Sequence, residues 1–142
     1  MAVDVVDGVS ELWESEPVPD EDFLYVRIHQ TFQRRAGGVS LGWVKNLPTP
    51  EHGMSTDWDK YATPEQTQAR GRKPAREYAV GKLNAGQVRA IPQQSAVHTP
   101  DHENDNRAHT DIFGEKENDP EVRVMFGRIY TLAIGFENQR SL

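Results

Sequence analysis

Apolar and polar positions alternate most strictly at Phe23-Leu24-Tyr25-Val26-Arg27-Ile28-His29, with Leu24, Val26 and Ile28 on one side and Tyr25, Arg27 and His29 on the other. A period of two with one polar side predicts a strand in an antiparallel sheet that is covered unequally on its two faces. After the turn-forming run Gln33-Arg34-Arg35-Ala36-Gly37-Gly38, Val39, Leu41 and Trp43 fall in phase and predict a shorter second strand over 39–44. Met54-Ser55-Thr56-Asp57-Trp58 predicts a brief third strand. Thr63-Pro64-Glu65-Gln66 opens a short helix near 64–70, with Thr at the cap, Pro at the first helical position and Gln completing a capping box.

Further on, residues 78–83 and 87–91 flank Asn84-Ala85-Gly86, a three-residue connection whose Gly can adopt positive φ, and they predict a hairpin. Residues 94–98 and 108–113 predict two more extended segments joined by a polar loop over 99–107. The period then changes. Asp119-Pro120-Glu121 caps a stretch in which Val122, Met125, Phe126, Ile129 and Ala133 recur at helical spacing, and Gly135 ends it, predicting a helix over 120–134. The fold class expected is therefore α+β: a small, mostly antiparallel sheet with a C-terminal helix packed on one face and a short helix near 64–70.

Length and composition narrow this picture. At 142 residues the chain suits one domain. Its hydrophobic content of 36%, with 11 Gly and 9 Pro, implies a modest core and many turns. The absence of cysteine excludes disulfides, thiol nucleophiles and iron–sulfur ligation. Neither a secretory h-region nor a run of about 20 apolar residues is present, so a soluble, cytoplasmic chain is expected, with no membrane contact.

Charge is unevenly distributed. Asp4, Asp7, Glu11, Glu14, Glu16, Asp20, Glu21 and Asp22 meet no Lys or Arg, so residues 1–22 carry -8 of a net -6 and the remainder carries +2. Residues 70–89 hold Arg70, Arg72, Lys73, Arg76, Lys82 and Arg89 against Glu77 alone, a local +5. The division expected is an acidic N-terminal arm and Pro linker over 1–22, with 14–22 the linker, followed by one α+β domain over 23–142. Val3, Val5, Val6, Val9, Leu12 and Trp13 punctuate the arm, and Asp7-Gly8 suits a two-residue turn, so an edge hairpin is also expected there. Leu12 and Trp13 are the residues expected to bind a partner, and docking of the arm on the basic segment would be favourable though weak.

The densest chemistry lies between His98 and Asp111, where His98, His102 and His109, three of the five histidines, accompany Asp101, Glu103, Asp105 and Asp111. Imidazole and carboxylate suit a transition metal, which makes His98, His102 and His109 weak candidate ligands. Pro100 and the Asn/Asp-rich run, however, oppose the helical scaffold of an HExxH site, so neither metal nor cofactor is expected. If a hairpin sets His98 against His109, with Asp111 beside it, and the Tyr25/Arg27/His29 face coincides, a cluster of Arg27, His29, His98, His109 and Asp111 could bind an anion and move a proton. Ser40 and Ser55 lack a nucleophile-elbow context, and no phosphate-loop pattern occurs. Tyr78 is the lone aromatic in the basic stretch, which argues against nucleic acid.

Tyr25-x-Arg27-Ile28-His29, Ser40, the block from Met54 to Trp58, and Asn106-x-Ala108-His109-Thr110-Asp111-Ile112-x-Gly114-x-Lys116 occur in an order that resembles a group of small bacterial proteins to which no activity is assigned. The likeness covers roughly residues 23–130 and leaves the acidic arm outside. The opening strand followed by a Ser-bearing strand also looks like the start of ADP-ribosyltransferase folds, without an assignable glutamate. The expected function is a small cytoplasmic binding or accessory module that engages a protein partner or self-associates. The alternative is a small enzyme, NAD-using and transferase-like or metal-assisted, built on the five-residue polar cluster.

Overall fold

The alternating strand β1 (Phe23–His29) forms as predicted and lies inside a six-stranded antiparallel sheet in this computed structural model, which describes residues 12–46 and 52–137. The other strands are β2 (Met54–Trp58), β3 (Tyr78–Asn84), β4 (Ser95–His98), β5 (His109–Phe113) and β6 (Thr131–Ile134), in the spatial order β4-β5-β2-β1-β3-β6. The helices are α1 (Pro64–Ala69), α2 (Ala85–Arg89) and α3 (Pro120–Ile129). None of the described helices is long and apolar enough to cross a membrane. The expected Asp7-Gly8 hairpin lies outside the described residues.

Register decides what each face carries. Leu24 stands opposite Trp58 and Leu83, Met54 opposite Ile112, and Ala96 also opposite Ile112, so these side chains share one face. Together with Trp43, Val44, Val88, Val122, Phe126 and Phe136 they form the buried core, to which the C-terminal helix contributes Val122 and Phe126. The opposite face carries Tyr25 and Arg27 on β1, Ser55 and Asp57 on β2, and His109 and Asp111 on β5. Helix α1 sits over this second face, where Thr67 bonds to Asp57 and accepts from Arg27. Its capping box forms as the sequence predicts, Thr63 and Gln66 each satisfying the other's backbone N–H.

Three elements differ from expectation. Residues 39–44 make no strand: Leu41–Trp43 is a 3-10 turn, and Val39 keeps only an isolated bridge to Gln33. The turn lets the consecutive residues Trp43 and Val44 both point inward, which an alternating strand forbids. A Cβ on Gly42 would stand 2.7 Å from the Phe32 ring, so glycine lets the turn lie this close without displacing that ring. The hairpin at Asn84-Ala85-Gly86 is instead the start of α2, because the Asn84 side chain accepts from Gln87 N–H and Ala85 and Val88 turn inward one helical step apart. Finally, the helix predicted over 120–134 stops at Ile129. The chain extends at Tyr130, and residues 131–134 pair with β3, so Ala133 is an exposed strand residue rather than part of an apolar helical stripe.

Candidate functional site

Residues 12–22 are not suspended between elements. Val18 is 5% exposed in the core although prolines flank it. Ser15 Oγ donates to His98 O at 2.6 Å, and Glu16 N–H donates to His98 Nδ1 at 3.0 Å. Because His98 bonds the Arg107 carbonyl through Nε2 at 2.6 Å, its proton must sit on Nε2, leaving Nδ1 free to accept from the arm. The Glu16 carboxylate takes Lys60 Nζ at 2.7 Å and the Tyr61 hydroxyl at 2.5 Å, with Arg107 at 3.6 Å. The Lys60 and Tyr61 bonds hold the Glu16 carboxyl far below its ordinary range, to about 2. The His98 ring packs edge-on against Trp58 and stacks on Tyr61, whose other contacts include the Arg107 guanidinium.

The two residues expected to bind a partner part company. Trp13 stacks on His102 at 4.7 Å between centroids, and its backbone N–H donates to His102 Nε2 at 2.6 Å, so it is engaged within the chain. Leu12 is 56% exposed beside an open cleft of about 650 Å³ that runs along the arm to Arg107. Asp20 pairs with Arg89 at 2.7 Å, the Asp20 and Asp22 carbonyls accept from the Gly86 and Ala85 N–H groups, and the Asp22 carboxylate accepts from Trp58 Nε1.

The five-residue polar cluster divides between the two faces. His98 stands opposite Thr110, not His109, so it points into the core, where it is 1% exposed. His29 pairs with Glu77 at 2.8 Å, and Arg27 binds the Thr67 carbonyl at 3.1 Å; both serve to hold neighbouring segments against β1. His102, in the 99–107 loop, is engaged by Trp13 of the arm. Only His109 and Asp111 come together, and among the described residues no group of three or more His, Asp and Glu is placed to hold a metal ion.

Around His109 the structure adds Ser55 and Thr99. The register sets Ser55 opposite Asp111 and one step from His109 on the same face. Ser55 Oγ lies 3.0 Å from His109 Nε2, while Nδ1 lies 3.0 Å from both the Thr99 carbonyl and the Thr99 hydroxyl. A carbonyl only accepts, and the Thr99 hydroxyl spends its proton on Asp111 Oδ2 at 3.0 Å, so Nδ1 carries the ring proton and Nε2 faces Ser55 with its lone pair. Asp111 Oδ1 stands 3.9 Å from Nε2. Both side chains are about one-fifth exposed (21% and 20%), open enough to meet a small solute. A Cβ on Gly53 would fall 2.5 Å from the Asp111 Cβ, so glycine there makes room for this carboxylate.

Beside this pair, Asp57 is a buried hub. It accepts from Thr67 Oγ1 at 2.7 Å, Arg70 Nη1 at 3.0 Å and Asn106 Nδ2 at 2.8 Å, tying α1 and the 99–107 loop to β2. Lys116, fully buried, directs its ammonium at Asn46 Oδ1, Ile112 O and Gly114 O at 2.5, 2.7 and 2.9 Å. Burial pulls its pKa down to about 8. The intervening Gly114 has φ +124, and a Cβ there would meet Gln93 O at 2.3 Å, so only glycine serves. No protein-family model, curated protein or solved structure matches this chain.

Proposed function

We propose that this chain is a binding module that engages a protein partner by strand addition at β6, the partner best fitted to that edge being a second copy of itself. The observation that carries the reading is the contrast between the two edges of the sheet. On β4 the outward carbonyls of Ala96 and His98 are covered, the first by Arg89 Nη2 at 3.3 Å and the second by Ser15 Oγ at 2.6 Å. On β6, among the described residues, no hydrogen bond reaches the outer side, residues 131–133 are exposed, and Leu132 is 39% exposed.

An uncovered edge is normally defended by charge, proline or a bulge that turns it away. The sequence Thr131-Leu132-Ala133-Ile134 has neither charge nor proline; its one irregularity is a bulge, since Val80 and the adjacent Gly81 stand opposite Ile134 and Leu132 and Ala133 is the extra residue. An antiparallel partner related by a two-fold axis would meet the same four residues in reverse. Arg128 precedes the strand and Glu137 follows it, so reversal brings opposite charges toward each other at both ends. A pair of four-residue strands buries a modest area, which makes the association concentration-dependent.

Light scattering on the full chain over a range of concentrations tests this. The wild type should approach twice the chain mass, and Leu132→Lys or Ala133→Pro should stay at one chain mass with an unchanged far-UV spectrum. A wild type that remains monomeric throughout, or substitutions that leave dimerisation untouched, would overturn the reading.

A further inference from the structure

The Ser55–His109 pair lies on the sheet face opposite the core, away from the β6 edge. We infer that it is a nucleophile and base able to take an acyl group, with Ser55 as the attacking hydroxyl and His109 as its proton acceptor. The proposal stands independently of strand addition at β6.

Three features of the site fit this chemistry. The first is geometry: a serine is a weak nucleophile until a base within hydrogen-bond reach can receive its proton, and Oγ to Nε2 is 3.0 Å here. The second is orientation. The imidazole is useful only if Nε2 is the unprotonated nitrogen, and the Thr99 carbonyl and hydroxyl on Nδ1 fix that tautomer and the ring plane. The third is charge. Asp111 is placed beside Nε2, where the imidazolium proton would appear, and is itself held by Thr99 Oγ1–H, so the cation formed on proton transfer has a fixed counter-ion.

In the forward step the Ser55 oxygen bonds to the carbonyl carbon of an ester while its proton passes to His109 Nε2. Collapse of the tetrahedral adduct breaks the bond to the leaving oxygen, which takes that proton from His109 and departs as the alcohol. Water, deprotonated by the same nitrogen, then cleaves the acyl–Ser55 bond to give the carboxylic acid and restores the hydroxyl. No oxidant, metal or further reactant is needed. Asp111 beside the ring, with Asp101 also close enough to feel the charge of His109, disfavours anionic donors and selects neutral or cationic acyl esters.

The probe is an alkyl fluorophosphonate, in which the Ser55 oxygen forms a bond to phosphorus, fluoride leaves, and His109 takes the proton. The full chain should gain one adduct, located at Ser55 by peptide mass spectrometry. Ser55→Ala should give none, and His109→Gln should label about 10²–10⁴-fold more slowly and lose the pH dependence of the rate. A second variant covers the case in which His109→Gln does not fold. In Ser55→Cys, iodoacetamide should react with a thiolate formed well below the ordinary thiol range of about 8.5, because the imidazolium stabilises it. No adduct on the wild type, an adduct elsewhere, equal labelling of wild type and His109→Gln, or an ordinary thiol titration in Ser55→Cys would each overturn the proposal.

Discussion

Replacing Asp57 should do more damage than its size suggests, because its carboxylate is the acceptor for donors from two separate segments. Thr67 and Asn106 are 1% and 6% exposed, so neither can turn to water when the carboxylate is removed. Each stranded donor costs about 1–3 kcal/mol. Arg70 is 30% exposed at its side chain and regains solvent, so its loss adds little. Asp57→Ala should therefore cost about 3–5 kcal/mol, which includes a small allowance for the void left beside Thr67. Asp57→Asn keeps the volume and one acceptor oxygen but sets an amide N–H₂ against a donor, and should cost about 2 kcal/mol. Urea unfolding followed by tryptophan fluorescence measures both, with the denaturant slope expected to stay unchanged. Hydrogen exchange should locate the loosening in α1 and in 99–107. A loss below about 1 kcal/mol for the alanine variant, well under the cost of two buried unpaired donors, would refute the hub argument.

Three further outcomes follow from the same structure. Phe126→Ala, at a fully buried position on α3, should cost about 3–5 kcal/mol in the same urea assay. The Glu16 carboxyl is held at about 2 against an ordinary 4.5, so the protection it gives the arm is complete above pH 4.5 and is lost as pH falls toward 2; limited proteolysis of wild type and Glu16→Gln should differ above that window and converge below it. For Lys116, lowered to about 8 from 10.5, the unfolded chain holds the extra proton between those values, so stability relative to Lys116→Met should rise with pH across that window in denaturant titrations.

How far the chain could be read beforehand depended on whether a feature is local. The β1 alternation, the Thr63/Gln66 capping box and the Asp119 cap with Pro120 are settled within a few residues, and all three were legible. The position of His98 was not. Thr99, rather than His98, bonds the backbone of His109, and a shift of one residue in register sends a side chain to the other face of the sheet. The same register makes Ser55 the partner of His109, a relation that no short motif around Ser55 encodes. Asn84-Ala85-Gly86 suits both a hairpin and a helix cap, and the choice was made by Val88 reaching the core. Ala133 kept helical phase only by coincidence, because the free outer edge of β3 drew residues 131–134 into the sheet. Around Val18 the flanking prolines exclude helix and inner strand but say nothing against burial, which is why a segment with the composition of a linker packs against the core.

The edge at β6 is the claim on which the functional reading depends, and amide exchange of the full chain at rising concentration tests it most directly. The account predicts that the Leu132 and Ala133 amides gain protection as concentration increases, while the amides of β4, whose outward carbonyls Arg89 and Ser15 already cover, do not change. Exchange at 132 and 133 that stays fast at every concentration, or protection that grows at β4 instead, would contradict it.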